Sequence, residues 1–371
     1  VSICLGMIVK NEAAVIERCM RSLPPYVDDF VILDTGSTDG TPDLIKKIAD
    51  DLELPGAVVV SNPPGPFDFG EARTKMMRQA RLQSKSEWLL QLDADWVLEV
   101  TSGVTLLGRD PVNVDFDAYP VTIQDHGLEW PLPMLTRMQH PWRYEGAVHE
   151  MLVDDGAGGL VCPTPLAGVR FIHHGDGGSR AGRHEQDVEA LRGKDDPRSL
   201  FYLAQSLQSS GKWAEALDAY LVRAERTDGW DEEVYWSLYQ AGRCAEQIGD
   251  PQNRALGLYL KAWESRPTRI EALMCAVAWL RVQKMWRTAY ELADAGMDVV
   301  LKGSGLDDRL FVERWRWDWG MAFEWYTAMS MAGDRAAAMG GWESLLANDQ
   351  VVGGYRKSIE WNLDWAKRQA A

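Results

Sequence analysis

The sequence predicts an α/β domain built on a parallel sheet, followed by an all-α repeat domain. Three observations predict it. Over the first half, short apolar runs alternate with helical patterns, the signature of strand–helix–strand units with right-handed crossovers. From Asp195 the apolar period changes to 3.6, and small and large residues recur at fixed offsets. The chain has 371 residues, more than a single core usually serves. The expected boundary gives residues 1–194 to the first domain and 195–371 to the second.

The first strand is expected over residues 2–9. Lys10-Asn11-Glu12 follows it, then a helix over 13–23 with Asn11 as a plausible cap. Phe30-Val31-Ile32-Leu33 reads as a second buried strand ending at Asp34. The loop Thr35-Gly36-Ser37-Thr38-Asp39-Gly40-Thr41 then leads into a helix over 42–52, with Pro42 near its start and Thr38, Asp39 or Thr41 as cap. A third strand is expected over 57–60 and a stiff proline loop over 63–66. Phe69-Gly70-Glu71-Ala72-Arg73 opens a helix running to about residue 82. Its Arg73 is placed to reach a diphosphate or a base, or to stand in solvent.

The stretch over 87–100 carries the chemistry. Trp88, Leu89, Leu90 and Leu92 form a nearly continuous apolar run, as in a strand buried on both faces. The run stops at Asp93 and Asp95, and loops after such strands are where open α/β sheets place ligands. Two carboxylates one residue apart make a hard oxygen site suited to Mg²⁺ or Mn²⁺. A second Asp-x-Asp, Asp115 and Asp117, has no buried strand before it and reads as a polar turn. Strands are next expected over 117–125, 131–138 and 168–172. His149 and Glu150 are neighbours that a strand would turn to opposite faces. The last strand runs into His173-His174-Gly175-Asp176-Gly177-Gly178-Ser179, where an imidazole could complete the site of Asp95 or belong to a surface pair.

Taken together, these segments resemble the GT-A fold of glycosyltransferase family 2, a Rossmann-like mixed sheet. The resemblance covers about half the chain. It rests on Lys10-Asn11-Glu12, the run from Val31 through Thr41, Phe69 through Arg73, Leu92-Asp93-Ala94-Asp95, Val148-His149-Glu150 and Ile172-His173-His174-Gly175. It implies a nucleotide-sugar donor, most often UDP-linked, and Mn²⁺ or Mg²⁺. Asp34 would contact the base, with Asn11 and Glu12 beside the nucleotide and Arg73 near the base or diphosphate. Asp93, with Ala94, would sit at the ribose side. Asp95 would bind the metal with His173, His174 being the reserve. Inversion at the anomeric carbon needs an acceptor-side base, which the resemblance places at Glu150, with Glu145 as runner-up. Thr35 stands where the common pattern has a second Asp, which bears on the base contact.

The second half reads as a tetratricopeptide-repeat solenoid. Phe201, Ala204, Leu207, Gly211, Trp213, Ala216 and Tyr220 follow the repeat's pattern, and Gly242, Gly249, Ala255, Tyr259, Ala262 and Pro267 follow it again. Looser copies are carried by Leu280, Trp286, Ala289 and Ala293 and by Met329, Gly333, Ala338 and Trp342. An inserted loop over 301–308 and a closing helix over 355–368 complete the expectation. Trp315, Trp317 and Trp319 alternate, which one helical face cannot accommodate, so at least one should be exposed or at a partner surface.

Composition narrows the function. The formal net charge of −16 argues against a nucleic-acid backbone or an anionic lipid surface as partner. No apolar run reaches the length of a membrane span, no charged-then-apolar leader opens the chain, and five scattered Cys suggest reduced thiols. The expectation is a cytoplasmic, metal-dependent, inverting hexosyl- or N-acetylhexosaminyltransferase. Its acceptor would be a protein or peptide recruited by the repeats, as in similar enzymes of bacteria and phages. A lipid-linked or polysaccharide acceptor, a non-catalytic adaptor, and a repeat-built homo-oligomer are the alternatives.

Overall fold

A computed structural model describes residues 1–24, 26–62, 67–101, 116–156, 164–177, 183–250, 254–303, 305 and 308–370. The proline loop at 63–66, Asp115 of the second Asp-x-Asp, residues 178–179 and part of the insertion at 301–308 lie outside the described residues. The chain forms two compact units, Val1–Ala190 and Leu191–Ala371.

The first unit begins with β1 (Ile3–Val9), α1 (Ile16–Arg21), β2 (Asp29–Asp34), α2 (Thr41–Asp51), β3 (Gly56–Val60), α3 (Phe69–Gln83) and β4 (Trp88–Gln91). It continues with β5 (Trp96–Val100), β6 (Ala118–Asp125), β7 (Leu128–Arg137), β8 (Trp142–Glu145), β9 (Met151–Asp154), β10 (Val169–His173) and α4 (Arg183–Leu191). One mixed sheet runs in the order β3-β2-β1-β4-β7-β6-β10-β5, and β8 and β9 form a separate ribbon. The first four strands are parallel. Their near-continuous apolar sequence follows from burial on both faces. Leu5, Met7, Ile32 and Leu90 pack under α1 and α2, while Cys4, Val31 and Leu89 pack under Met76, Met77 and Ala80 of α3. Full burial of each such side chain stabilises the fold by about 1.5–3 kcal/mol. The chain winds outward from β1 to β3 and then returns to place β4 on the other side of β1. That reversal is a topological switch point, and open α/β sheets bind ligands at the strands' carboxyl ends beside such a point.

Three local expectations are corrected. The helix expected over 13–23 is only Ile16–Arg21, because Glu12–Val15 form turns and Asn11 takes φ 56°. Asn11 does not cap it; its Oδ1 accepts from the Thr38 amide at 2.8 Å. The cap of α2 is Gly40 at φ 87°, and Asp39 Oδ1 instead accepts from the Thr41 amide at 3.0 Å. His149 and Glu150 are not on a strand. The ribbon turns through Gly146 at φ 105° and His149 at φ 50°, so the alternation argument does not apply to them.

The second unit contains α5 (Pro197–Ser209), α6 (Trp213–Ala224), α7 (Asp231–Gln247), α8 (Arg254–Ser265), α9 (Glu271–Val282), α10 (Trp286–Lys302), α11 (Met321–Ala332), α12 (Arg335–Leu346) and α13 (Gly353–Ala370). Each helix packs on the next in sequence, giving a tetratricopeptide-type stack of four pairs closed by α13. Small residues set the close approaches: a Cβ on Gly242 would stand 2.5 Å from the Tyr259 ring. A π-helical turn at Arg316–Gly320 precedes α11.

That turn overturns the expectation of an exposed tryptophan. Trp317 and Trp319 are buried at 5% and 6% exposure, and Trp315 is half-buried against Trp319 and Tyr355. The wider turn changes the angle between successive side chains, so alternating residues fill two separate apolar clusters. Trp317→Ala and Trp319→Ala are each expected to cost about 3–5 kcal/mol. Trp361→Ala, on a side chain 63% exposed, should stay within about 0.5 kcal/mol. Thermal melts of the full chain check this ranking.

Candidate active site

The ends of β1 and β2 are tied together before any ligand is considered. Asn11 N donates to Ser37 Oγ at 2.8 Å, Glu12 N to Thr41 Oγ1 at 2.8 Å and Ala13 N to Asp39 Oδ2 at 3.1 Å. Asp34 is 1% exposed. Its Oδ1 accepts from the amides of Gly36 and Ser37 at 3.0 Å each, while Oδ2 has no partner among the described residues. An unsatisfied buried acceptor costs about 1–3 kcal/mol, a cost that a ligand N–H would remove. Thr35 is buried, and its hydroxyl donates to Val9 O at 3.0 Å. The residue in place of a second Asp is therefore turned into the strand backbone.

Beyond β4 the chain reverses through Asp93, Ala94 and Asp95 into β5. β5 pairs antiparallel with β10, setting Trp96 opposite His173, and β6 pairs parallel with β10, setting Gln124 beside Ile172. These two registers bring His173 between Asp95 and Asp125. Nε2 lies 3.4 Å from Asp95 Oδ2, and Nδ1 lies 2.9 Å from Asp125 Oδ2. Burial alone would lower the His173 pKa, but hydrogen bonds and charge from Asp125 and Asp95 push it up to about 9. Protonated, the ring pairs with the nearly buried Asp95; neutral, its Nε2 is free to bind a metal.

The same pair could hold a divalent ion. The 3.4 Å separation suits two donors on one ion, and Asp125 would fix the imidazole's other nitrogen, as metal-bound His usually requires. Among the described residues no group of three His, Cys, Asp or Glu side chains converges on one ion. Two protein donors with the remaining positions left to phosphate and water is the usual Mg²⁺ or Mn²⁺ arrangement. His174 is exposed; its amide donates to Asp95 O at 3.1 Å. Glu12, 8% exposed, approaches from the other side. A Cβ on Gly177 would stand 3.1 Å from Glu12 Oε2 and 3.3 Å from Asp95 Oδ2, so glycine there spares both carboxylates.

Arg73 lies between two carboxylates. It is 6% exposed, and its Nε donates to Glu150 while Nη2 donates to Asp93 Oδ1 at 2.7 Å. The approach depends on glycine at the start of α3. Asp68 caps that helix, Gly70 N donates to Gly146 O at 3.1 Å, and a Cβ on Gly70 would stand 2.7 Å from that oxygen. Burial raises the Glu150 pKa, but the charge and hydrogen bond of Arg73 outweigh it and hold the carboxyl below its ordinary value. Tyr144 lies under the same guanidinium, 5.8 Å from ring to charge, and burial pushes its phenol up to about 12. Glu145 is half-exposed on the ribbon and paired with Arg143. The Ala94 methyl belongs to the core, leaving only its backbone for a ligand.

The structure therefore gathers Asn11, Glu12 and Asp34 at one edge, Asp95 with His173 at the β4 end, and Arg73 with Asp93 and Glu150 on the α3 side. Asp125 was missed. Its only sequence signal is its place before the His126-Gly127 hairpin turn, and the β6–β10 pairing that gives it meaning spans 48 residues. Asp176 was missed too; it pins the loop after β10 to Arg18 of α1 at 2.6 Å.

Residues 4–146 match the family model for Glycosyl transferase family 2, so the first unit carries a family 2 glycosyl transferase domain. Glu150 and His173 lie beyond the matched segment. A TPR repeat-containing protein of Synechococcus elongatus is 32% identical over 158 residues, 42% of this chain and 36% of that protein. The SPbeta prophage-derived glycosyltransferase SunS of Bacillus subtilis is 34% identical over 94 residues, 25% of this chain and 20% of that protein. The chain thus spans about a third and a fifth of these relatives' lengths. The mannosyltransferase PcManGT from Pyrobaculum calidifontis, solved with GDP-Man and Mn²⁺, is 15% identical with a TM-score of 0.38, covering 82% of this chain and 88% of that one.

Gly70→Ala tests how the α3 side of the site is held. The methyl must displace backbone, so a loss of about 1–3 kcal/mol is expected, measured by thermal unfolding. Gly257→Ala, where nothing lies within 4 Å, is the helix control and should not destabilise.

Proposed function

We propose that this chain is a metal-dependent, inverting glycosyltransferase that moves a sugar from a nucleotide-sugar, UDP-linked as first choice, to a protein or peptide acceptor. The observation that carries the reading is the Asp95–His173 pair at the carboxyl end of β4, with Asp34 at the end of β2. Charge supports the metal. Departure of a nucleoside diphosphate builds negative charge, yet Arg73 and Arg18 are each already paired with carboxylates. A divalent ion held by Asp95 and His173 would supply the missing positive charge.

The remaining roles follow from the side chains. Asp34, Asn11 and Glu12 hold the nucleotide at the β1–β2 end, and Asp93, 37% exposed, faces the ribose and sugar. Glu150 takes the acceptor's proton as the acceptor attacks the anomeric carbon opposite the leaving group. It is ionised for that task because Arg73 offsets its burial. Glu145, already paired with Arg143, is the weaker candidate.

The repeat unit supports a polypeptide acceptor, since helical repeats present extended surfaces to peptides. Its inner face over α5, α7 and α9 is filled by the chain's own segment at 308–317. Arg269 donates to Leu310 O at 3.0 Å and Phe311 O at 3.2 Å, and Glu232 accepts from Leu310 N at 2.7 Å. Among the described residues of this unit a cleft of about 320 Å³ is lined by Arg281, Phe323, Lys357 and the exposed Trp361, and we propose acceptor docking there. No helix among the described residues is long and apolar enough to cross a membrane, and a cytoplasmic setting is part of the proposal.

Donor hydrolysis with and without Mn²⁺ tests the enzyme reading. Activity should need the ion and disappear with chelator. Asp95→Ala should abolish it while the melting temperature is kept, and His173→Ala should weaken ion dependence more than His174→Ala. Near-normal turnover in Asp95→Ala would sink the metal assignment. Mass spectrometry of candidate proteins co-expressed with the chain, seeking a hexose or N-acetylhexosamine increment, tests the acceptor.

A further inference from the structure

We infer that Arg73 is a positioning residue that sets the acceptor-side carboxylate Glu150 against Asp93, and not a ligand of the donor's diphosphate. The inference rests on the assignment of Glu150 as base made above.

The geometry leaves the guanidinium little freedom. It is 6% exposed, with Nε committed to Glu150 and Nη2 to Asp93. Glu150 comes from the loop between β8 and β9, and Asp93 from the turn between β4 and β5. The planar fork of Arg73 spans these two loops, and lysine's single ammonium could not hold both at fixed angles. The fork is itself fixed, because α3 is locked to the Gly146–Ala147 backbone by the amides of Phe69 and Gly70 at 3.0 and 3.1 Å. To reach a diphosphate, Arg73 would have to abandon a carboxylate that is 89% buried on its side chain, leaving that charge without a partner.

A further consideration is protonation. Around Glu150 stand Arg73 from α3, Tyr144 from β8 and the adjacent His149, with Asp93 on the far side of the guanidinium. Of these, Arg73 is the cation hydrogen-bonded to the carboxylate. Burial acts to neutralise Glu150, and Arg73 reverses that. The group that aims the base is therefore also the one that keeps it ionised.

The test is a double-mutant cycle on Arg73 and Glu150, read by donor kinetics and by calorimetric binding of UDP with Mn²⁺. Glu150→Gln should lower kcat by about a hundredfold with donor KM nearly unchanged. Arg73→Gln should do the same, and Arg73→Lys, which restores charge without the fork, should recover part of the loss. The decisive comparison is Arg73→Gln/Glu150→Gln against Glu150→Gln: the added substitution should change kcat by less than threefold. That comparison stands even if Arg73→Gln alone misfolds, since the double variant leaves no unpaired carboxylate at Glu150. A tenfold or greater rise in donor KM or UDP Kd in Arg73→Lys, with kcat kept, would overturn the inference and return Arg73 to the diphosphate. Losses that multiply in the double variant would overturn it as well. If Glu150→Gln turns over normally while UDP binding persists, the base assignment itself falls, and the role of Arg73 through it falls too. Loss of UDP binding and turnover in the unmodified chain would instead defeat the broader enzymatic reading.

Discussion

The antiparallel pairing of β10 with β5 is the constraint on which the site depends. It places His173 opposite Trp96, one residue past Asp95, so a ring nitrogen meets the nearly buried Asp95 carboxylate. A slip of one residue would bring His174 to that place and send His173 to the other face of the sheet. Apolar partners resist that slip: Phe171 is fully buried and packs on Trp96, with ring centres 5.6 Å apart. Core packing thus decides which of two adjacent histidines enters the site. The choice is made by Phe171 and Trp96, not by the imidazoles.

That dependence explains what could be read from the sequence. β1, β2 and β4 were legible because strands buried on both faces need continuous apolar runs, and Asp34 and Asp95 were legible because they end such runs. Tetratricopeptide packing was legible because small residues such as Gly242 must recur where helices touch. Contacts between distant segments were not legible. Asp125 acquires its role only from the β6–β10 register, and Arg73 only from the approach of α3 to Gly146. Local conformation misled in three places. Asn11 and His149 adopt left-handed backbone that their types tolerate but do not demand. The turn at Arg316–Gly320 is π-helical, which no apolar period of 3.6 announces.

The second unit shows how this chain buries charge for purely structural ends. Arg269 and Glu271 are both fully buried within the second unit. All five guanidinium N–H groups of Arg269 can be accounted for: Nε and Nη2 meet Glu271, Nη2 also meets Phe311 O, and Nη1 meets Leu310 O and Asp308. Glu271 in turn receives Tyr235 Oη at 3.1 Å and Glu313 N at 3.3 Å. Such a network fixes one path for the segment at 308–317, which apolar contact alone would leave free to slide. A half-satisfied network would cost more than an apolar core, so its completeness is what makes it tolerable.

Arg73 invites the opposite reading because its network is incomplete. Its burial matches that of Arg269 closely enough that solvent is no substitute for partners, yet among the described residues Nη1 has none. One of its carboxylates, Asp93, is more than a third exposed, whereas the Arg269 partner Glu271 is fully enclosed. A cation that is saturated by its own chain has finished its work when the fold forms. Arg73 instead joins a buried carboxylate to a solvent-facing one, so its bonds set against each other the two loops that carry them. The difference between the two arginines is therefore a difference in saturation, and saturation separates charge that holds the fold from charge that serves the site.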